Sequence, residues 1–131
     1  MSNVTYDREQ TRRLQPLLLS IGKEIRERSA VLSFLVGALD ELDDSEAESP
    51  AREVRQMLTS EASIQRRELL KTKRELEELG CSLLRRSPVT IHIPGTEDGE
   101  DRTVIWRLRE AEKGENEVEE IHIATQTARG R

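Results

Sequence analysis

The stretch that decides the fold is LQPLLLSIGKEIRERSAVLSFLVGALDEL, which runs from Leu14 to Leu42. Its apolar residues recur at alternating steps of four and three, and this spacing places them along one stripe of a helix. The stripe consists of Leu14, Leu18, Ile21, Ile25, Leu32, Leu35, Leu39 and Leu42. Arg28 is its one polar position. The pattern predicts a long helix that packs lengthwise against a partner helix, as in a coiled coil.

A second stretch with the same spacing follows an acidic break. The residues DDSEAES at positions 43–49 interrupt the pattern and predict an exposed turn. Ser49 and Pro50 then predict the N-cap and first residue of a second helix, and Gly80 predicts its end. Its stripe consists of Leu58, Ala62, Gln65, Leu69, Thr72, Leu76 and Leu79. Because the turn is short, we expect the two helices to form an antiparallel hairpin.

The bounds of the first helix follow from its amino-terminal end. Asp7 and Gln10 have the three-residue spacing of a capping box, which predicts a helix start there. Pro16 lies too deep for a first-turn proline, so we expect a break near it, either a kink or the restart of a second, longer segment. The predicted helices cover residues 5–42, with that break, and residues 49–79.

Arg28 interrupts the stripe of the first helix. Folding the two helices about the turn places it level with Gln65, within reach of Glu61 and Glu68. We interpret it as a residue that finds a carboxylate and thereby fixes the register of the hairpin. A ligand contact is the alternative.

After Gly80 the hydrophobic period changes from helical to two. The segments PVTIHIPG (88–95), RTVIWRL (102–108) and EEIHI (119–123) alternate and are separated by acidic links rich in turn-forming residues. They predict a three-stranded antiparallel meander over residues 88–123, followed by a flexible tail at 124–131. The expected fold class is therefore α+β, with one domain over residues 1–131.

Trp106 is the only tryptophan of a chain that has one tyrosine and one phenylalanine. It is in phase with Val104 and Leu108, on the face of the sheet that has to be covered. A three-stranded sheet is stable only if one face packs on something. We expect Trp106 to anchor that face beneath the helical hairpin or a second copy of the chain, with ligand stacking as the alternative.

The composition excludes some classes of partner. The chain has 131 residues, 36% of them charged, and a net charge of −5. This acidity argues against general electrostatic binding to nucleic acids or acidic membranes, and the scarcity of aromatic residues leaves no platform for stacking bases. A basic stripe at residues 66–74 keeps nucleic acid as a weaker alternative. The polar start, the lone Cys81 and the absence of a long apolar run predict a cytoplasmic protein without membrane contact.

Short motifs spread along most of the chain resemble a bacterial family. The motifs are YDREQTRRLQP at the start, ELEELGCSL at the end of the second helix, and IHIPG, DRTVIWRLRE and VEEIHI in the last part. They resemble the family known as domain of unknown function 2203. The matching positions are Tyr6, Pro16, Pro94, Trp106, Arg107, Leu108, Glu110 and His122, whereas Ile105, Arg109 and Ile121 depart from the family's pattern. The resemblance implies the architecture and brings no known activity.

Three residues of the predicted sheet form a candidate binding site. His92 and His122 share an alternation phase with Arg107, which we expect on the central strand between them. Such a row could bind an anion, or a metal with Cys81 or a glutamate as a third ligand. The chain has no ligand-spaced histidine pair, no nucleophile motif and no glycine-rich phosphate loop, so the sequence predicts neither an enzyme nor a cofactor.

The leading hypothesis is a non-enzymatic interaction or scaffold module that assembles into a homodimer or tetramer and binds a further protein partner. A second apolar flank of the hairpin would be the contact surface. Its residues are Leu17, Leu19, Val31, Phe34, Val36, Ile64 and Leu70, of which Leu17, Val31, Phe34 and Ile64 are the predicted self-association residues. The alternative is a small-ligand (anion) or metal-binding protein that uses Trp106, Arg107, His92 and His122.

Overall fold

The computed structural model of the protein describes residues 4–44 and 49–114. Within them the elements are α1 (Arg8–Asp44), α2 (Ser49–Glu78), β1 (Ser82–Arg86), β2 (Val89–Glu97), β3 (Glu100–Arg107) and α3 (Leu108–Glu112). The helices α1 and α2 pack together, and the strands form an antiparallel sheet in the order β1-β2-β3. The predicted α+β class with a long helical hairpin is confirmed.

The start of α1 is the predicted capping box. The Asp7 carboxylate accepts a hydrogen bond of 2.8 Å from the Gln10 backbone N–H. The Gln10 side-chain oxygen accepts one of 2.9 Å from the Asp7 backbone N–H in return. Two amides that a helix end leaves without partners are thereby satisfied.

Helix α1 runs without interruption through Pro16, so the helix does not restart there as one of the two expectations had it. A proline lacks an N–H and leaves the carbonyl four residues earlier, that of Arg12, without its helical donor. Both Pro16 and Arg12 lie on the exposed side of the helix. Thr11 and Leu18, on either side of the proline, are buried, so both halves of the helix pack against the rest of the fold.

The end of α2 is also as predicted. Gly80 has a φ of +85°, a conformation that glycine adopts without strain. Its N–H donates to the Glu77 carbonyl at 2.9 Å, and the N–H of Cys81 donates to the Leu76 carbonyl at 3.0 Å. These two bonds define a Schellman motif, and the burial of both Leu76 and Cys81 supplies its usual apolar contact.

The two predicted stripes form the core of the hairpin. Their buried members are Leu18, Ile21, Ile25, Leu32 and Leu35 on α1, and Ala62, Leu69, Thr72 and Leu76 on α2. Thr72 is tolerated in this apolar setting because its hydroxyl donates to the Glu68 carbonyl at 3.0 Å.

The sheet has three strands in meander order, but only two of them are predicted strands. β2 and β3 correspond to the segments predicted at 88–95 and 102–108, joined by a tight turn in which Asp98 and Gly99 both have positive φ. The strand β1 was not predicted, because a register shift between Leu83 and Arg85 breaks its alternation. The strand predicted at 119–123 lies outside the described residues.

The segment after β3 differs from its prediction as well. Leu108, expected to be the last strand residue, instead begins the short helix α3. Leu108 and Ala111 are three residues apart and both buried, which is the spacing of a helix that packs through one side. The link expected from residue 109 is therefore helical as far as Glu112.

The hairpin, and not a second chain, covers the inner face of the sheet. Trp106 is only 1% exposed, and its indole N–H donates to the side-chain oxygen of Gln15 on α1 at 3.0 Å. Gly22, also on α1, lies directly against the indole ring. A Cβ atom built on Gly22 would lie 3.2 Å from Cη2 and Cζ3 of the ring and 3.2 Å from Cδ1 of Leu108.

Alanine substitutions at two glycines of α1 test this close approach. At Gly37 a Cβ would meet nothing within 4 Å, so Gly37→Ala should raise the free energy of unfolding by about 0.5–1 kcal/mol through helix propensity alone. At Gly22 the added methyl would press on the buried indole, so Gly22→Ala should lower it by about 1 kcal/mol despite the same propensity gain. Urea unfolding followed by circular dichroism measures both. Equal stabilisation by the two substitutions would contradict the packing described.

Candidate functional site

The buried stripes of α1 and α2 meet along an apolar seam. The hairpin has one flank on each side of this seam. Gln15 and Gly22 are seven residues apart and therefore lie on the same side of α1. Both contact Trp106 of the sheet, so we call this side of the hairpin the sheet flank. Arg26 lies on this flank too and forms a two-pronged ion pair with Glu112 of α3, with N–O distances of 2.6 and 2.8 Å. The sheet and α3 are thus both fastened to the sheet flank.

A polar cluster centred on Arg28 identifies the opposite flank. The Arg28 guanidinium donates to Glu24 at 2.9 Å and to the Gln65 side-chain oxygen at 3.1 Å, and lies 3.9 Å from Glu68. The predicted pairing of Arg28 with Gln65 is therefore confirmed. Glu24 and Glu68, which reach Arg28 from different helices, mark the same side of the hairpin, which we call the open flank. Gln65 adds a hydrogen bond of 3.1 Å to Glu61 there.

Several apolar side chains are exposed on the open flank, and four of them form one group. Val31 follows Glu24 by seven residues, and Phe34 lies on the next turn of α1. On α2, Met57 and Ile64 are seven residues apart and flank Glu61. Phe34 is 72% exposed and Met57 70%, with the other two also exposed. We call Val31, Phe34, Met57 and Ile64 the open-flank cluster.

The two halves of the open-flank cluster lie at the same height along the hairpin. Because Arg28 is level with Gln65 and the helices are antiparallel, residues 31–36 of α1 are level with residues 57–62 of α2. The predicted residues Val31, Phe34 and Ile64 therefore come together, and Leu17 lies on the same flank two repeats earlier. Sequence reasoning missed Met57, although its seven-residue distance from Ile64 is a signal that could have found it.

Three other residues predicted for this apolar surface are not on the open flank. Leu19 is half-buried and packs against the core. Val36 and Leu70 are exposed, but their places in the seven-residue repeat put them on the sheet flank. Val36 and Leu70 are thus exposed as expected, but they do not adjoin the open-flank cluster.

A polar groove adjoins the open-flank cluster. It has a volume of about 580 Å³ and runs along α1 beside Gln65 of α2. Its lining residues are Ser20, Lys23, Glu24, Glu27, Arg28, Val31 and Gln65. An apolar patch bordered by charges of both signs has the composition of an interface core with a polar rim.

The residues predicted for a ligand site are only partly brought together. His92 and Arg107 do share the outer face of the sheet, and among the strands of the described residues His92 is on the central one and Arg107 on an outer one. The strand expected on the other side of Arg107, at 119–123, lies outside the described residues, so the expectation of a central Arg107 stays a prediction. Trp106 lies on the buried face, so it cannot share a site with them. His122 lies outside the described residues.

The chemistry of the individual groups gives little support to a metal or nucleophilic site. Burial lowers the pKa of His92, which favours its neutral form. Burial also raises the pKa of the Cys81 thiol to about 11, and a buried thiol is a poor nucleophile. Within residues 4–44 and 49–114, no group of three His, Cys, Asp or Glu side chains is arranged to hold a metal ion.

A small, partly open pocket lies where the chain start meets the sheet. Tyr6 joins the edge of β2 through backbone bonds of 2.9 Å to Pro94 and 3.0 Å from Thr96, and its hydroxyl donates to the Leu79 carbonyl at 2.5 Å. The pocket beside it has a volume of about 20 Å³. That is room for about one water molecule.

Comparison of the chain with family models, curated proteins and solved structures finds no match. The resemblance to domain of unknown function 2203 therefore stays an expectation from the motifs. Of the helices in the described part of the chain, none has the length and apolarity to cross a membrane.

The fluorescence of Trp106 distinguishes cover by the hairpin from cover by a second copy. Because α1 of the same chain covers the indole, its emission should be that of a buried tryptophan and its quenching by acrylamide should be weak. Both properties should stay constant when the protein is diluted from millimolar to nanomolar concentration. An emission that shifts to the red on dilution would show that a partner chain covers the ring.

Proposed function

We propose that the protein is a non-enzymatic module that self-assembles through the open flank of its helical hairpin. The observation that carries the proposal is the open-flank cluster, in which Phe34 and Met57 are each at least 70% exposed at level positions of two adjacent helices. Exposed apolar patches of this kind on soluble domains mark association surfaces. The seam and the sheet flank are fully formed without these residues.

A second copy of the chain fits this surface by symmetry. A two-fold axis parallel to the helices stacks two open flanks face to face and places α1 of one copy over α2 of its partner at the same height. Phe34 and Val31 then meet the turns of the partner that carry Met57 and Ile64. The product is a four-helix bundle in which each cluster is covered by its own copy.

The charges beside the cluster support the same arrangement. The two-fold axis brings Glu27 of one copy level with Arg67 of the other, since residue 27 is level with residue 66 across the seam. Both side chains are exposed, and neither forms an ion pair within the described residues. Opposite charges at the rim of an interface favour the matching register and oppose other registers.

Charge introduced into the cluster tests the proposal. The double variant Phe34→Glu with Met57→Glu should be a monomer where the unmodified protein is a dimer or tetramer, measured by sedimentation equilibrium. Helix content should not change, because neither side chain belongs to the seam. Leu70→Glu, at a side chain that is 47% exposed on the sheet flank, is the matched control and should keep the native mass. A monomeric unmodified protein, or a double variant that still associates, would refute the proposal.

A charge exchange tests the two-fold arrangement separately. Glu27→Arg should weaken association, because it opposes Arg67 of the partner, and adding Arg67→Glu should restore it. The pair lies at the rim, so each step should change the dissociation constant only by several fold, about 1 kcal/mol or less. If the double exchange is no tighter than Glu27→Arg alone, the copies pack in another orientation.

A further inference from the structure

A row of three polar residues crosses the outer face of the sheet near α3. Arg85 of β1 pairs with Thr90 of β2, and Thr90 pairs with Arg107 of β3. Strands are about 4.8 Å apart, so the backbones of the two arginines are about 10 Å apart with Thr90 between them. The neighbours Val89 and Trp106 are buried on the inner face, which directs this row to the outer face.

The arginines at this end of the sheet have no acidic partner within residues 4–44 and 49–114. Arg26, Arg28 and Arg102 each form ion pairs elsewhere in the fold. Arg85 and Arg107 form none within the described residues, and neither do the nearby arginines 86 and 109. Of these, Arg85 and Arg107 lie on the same face of the sheet on either side of Thr90, in a chain whose net charge is −5. Such a local excess of positive charge attracts an anion.

The register shift in β1 gives the row an apolar border. It sets two consecutive residues, Leu84 and Arg85, opposite Thr90, which is the arrangement of a β-bulge. Leu84 is exposed as a result. In the adjacent row, His92 pairs with Ile105, and both are half-buried on the same face. An anion held between the arginines would therefore have apolar side chains next to it.

We propose that this row binds the phosphate group of a small phosphate ester, with Arg85 and Arg107 holding the phosphate and Leu84 and Ile105 contacting its organic part. The planar guanidinium group donates paired hydrogen bonds that match phosphate oxygens, and two such groups balance the charge of a phosphate dianion. A nucleic-acid strand fits less well, because the one tryptophan is buried and offers no stacking surface.

The phosphate site is independent of the proposed self-association. The arginine row is on the outer face of the sheet, whereas the open-flank cluster is on the side of the hairpin opposite to the sheet. The monomeric variant Phe34→Glu with Met57→Glu should consequently bind phosphate esters as tightly as the unmodified protein. Failure of one proposal therefore leaves the other standing.

The test is a titration of the full chain with phenyl phosphate and with inorganic phosphate, followed by backbone amide chemical shifts at low salt. Arg85→Gln and Arg107→Gln should each weaken phenyl phosphate binding roughly tenfold, and the double variant should show none at concentrations up to about 10 mM. Arg66→Gln, at an exposed and unpaired arginine of α2, is the matched control and should bind normally. Leu84→Ser should weaken phenyl phosphate binding while inorganic phosphate binding stays the same.

Three results would overturn the proposal. The first is no saturable binding of phenyl phosphate to the unmodified protein, and the second is equal binding to the Arg85→Gln, Arg107→Gln double variant. The third is arginine-dependent binding of a single-stranded oligonucleotide without binding of phenyl phosphate, which would make the ligand a nucleic-acid backbone. Circular dichroism confirms that each variant is folded, and Arg→Lys variants at both positions check that the guanidinium geometry matters as well as the charge.

Discussion

The contact between the indole ring of Trp106 and the backbone of α1 at Gly22 is the constraint on which the rest of the structure depends. A small three-stranded sheet does not hold together unless one of its faces is covered. Here one large ring fills the space between sheet and helix, and a glycine lets the helix approach it closely. The hydrogen bond from the indole N–H to Gln15 satisfies the one polar atom that this burial would otherwise leave without a partner.

This contact also determines which surfaces remain available. Once the sheet is docked, the part of the sheet flank that faces it is covered and the other flank is open, and one face of the sheet is covered and the other is exposed. The open flank carries Phe34 and Met57 beside the Arg28 cluster, and the outer face of the sheet carries Arg85 and Arg107. The two proposals use these two surfaces. The sheet flank thus holds the sheet and the hairpin together, while we propose that the exposed surfaces bind partners and ligands.

The parts of the fold that rest on local rules could be predicted from the sequence. The four-three spacing, the capping box at Asp7 and the helix end at Gly80 depend on nearby residues, and the inward phase of Trp106 depends on simple alternation. The strand β1 could not be predicted, because the bulge at Leu84 disrupts its alternation and only Leu83 is even half-buried. The restart of the helix expected at Pro16 followed a local rule, the missing N–H of proline. The rule took no account of the tertiary packing of Thr11 and Leu18 on either side of it. Arg85 joined the candidate site only through the pairing of β1 with β2.

The most direct test of the central contact is the coupling free energy between Gly22→Ala and Trp106→Leu, measured by equilibrium unfolding of both single variants and the double variant. If the added methyl is costly because it presses on the indole, removal of the ring should relieve it. Gly22→Ala should then stabilise the Trp106→Leu protein, with a coupling of about 1–2 kcal/mol. If Gly22→Ala has the same effect with tryptophan or leucine at position 106, the indole does not lie against the helix at Gly22, and the assignment of the covered and open flanks is wrong.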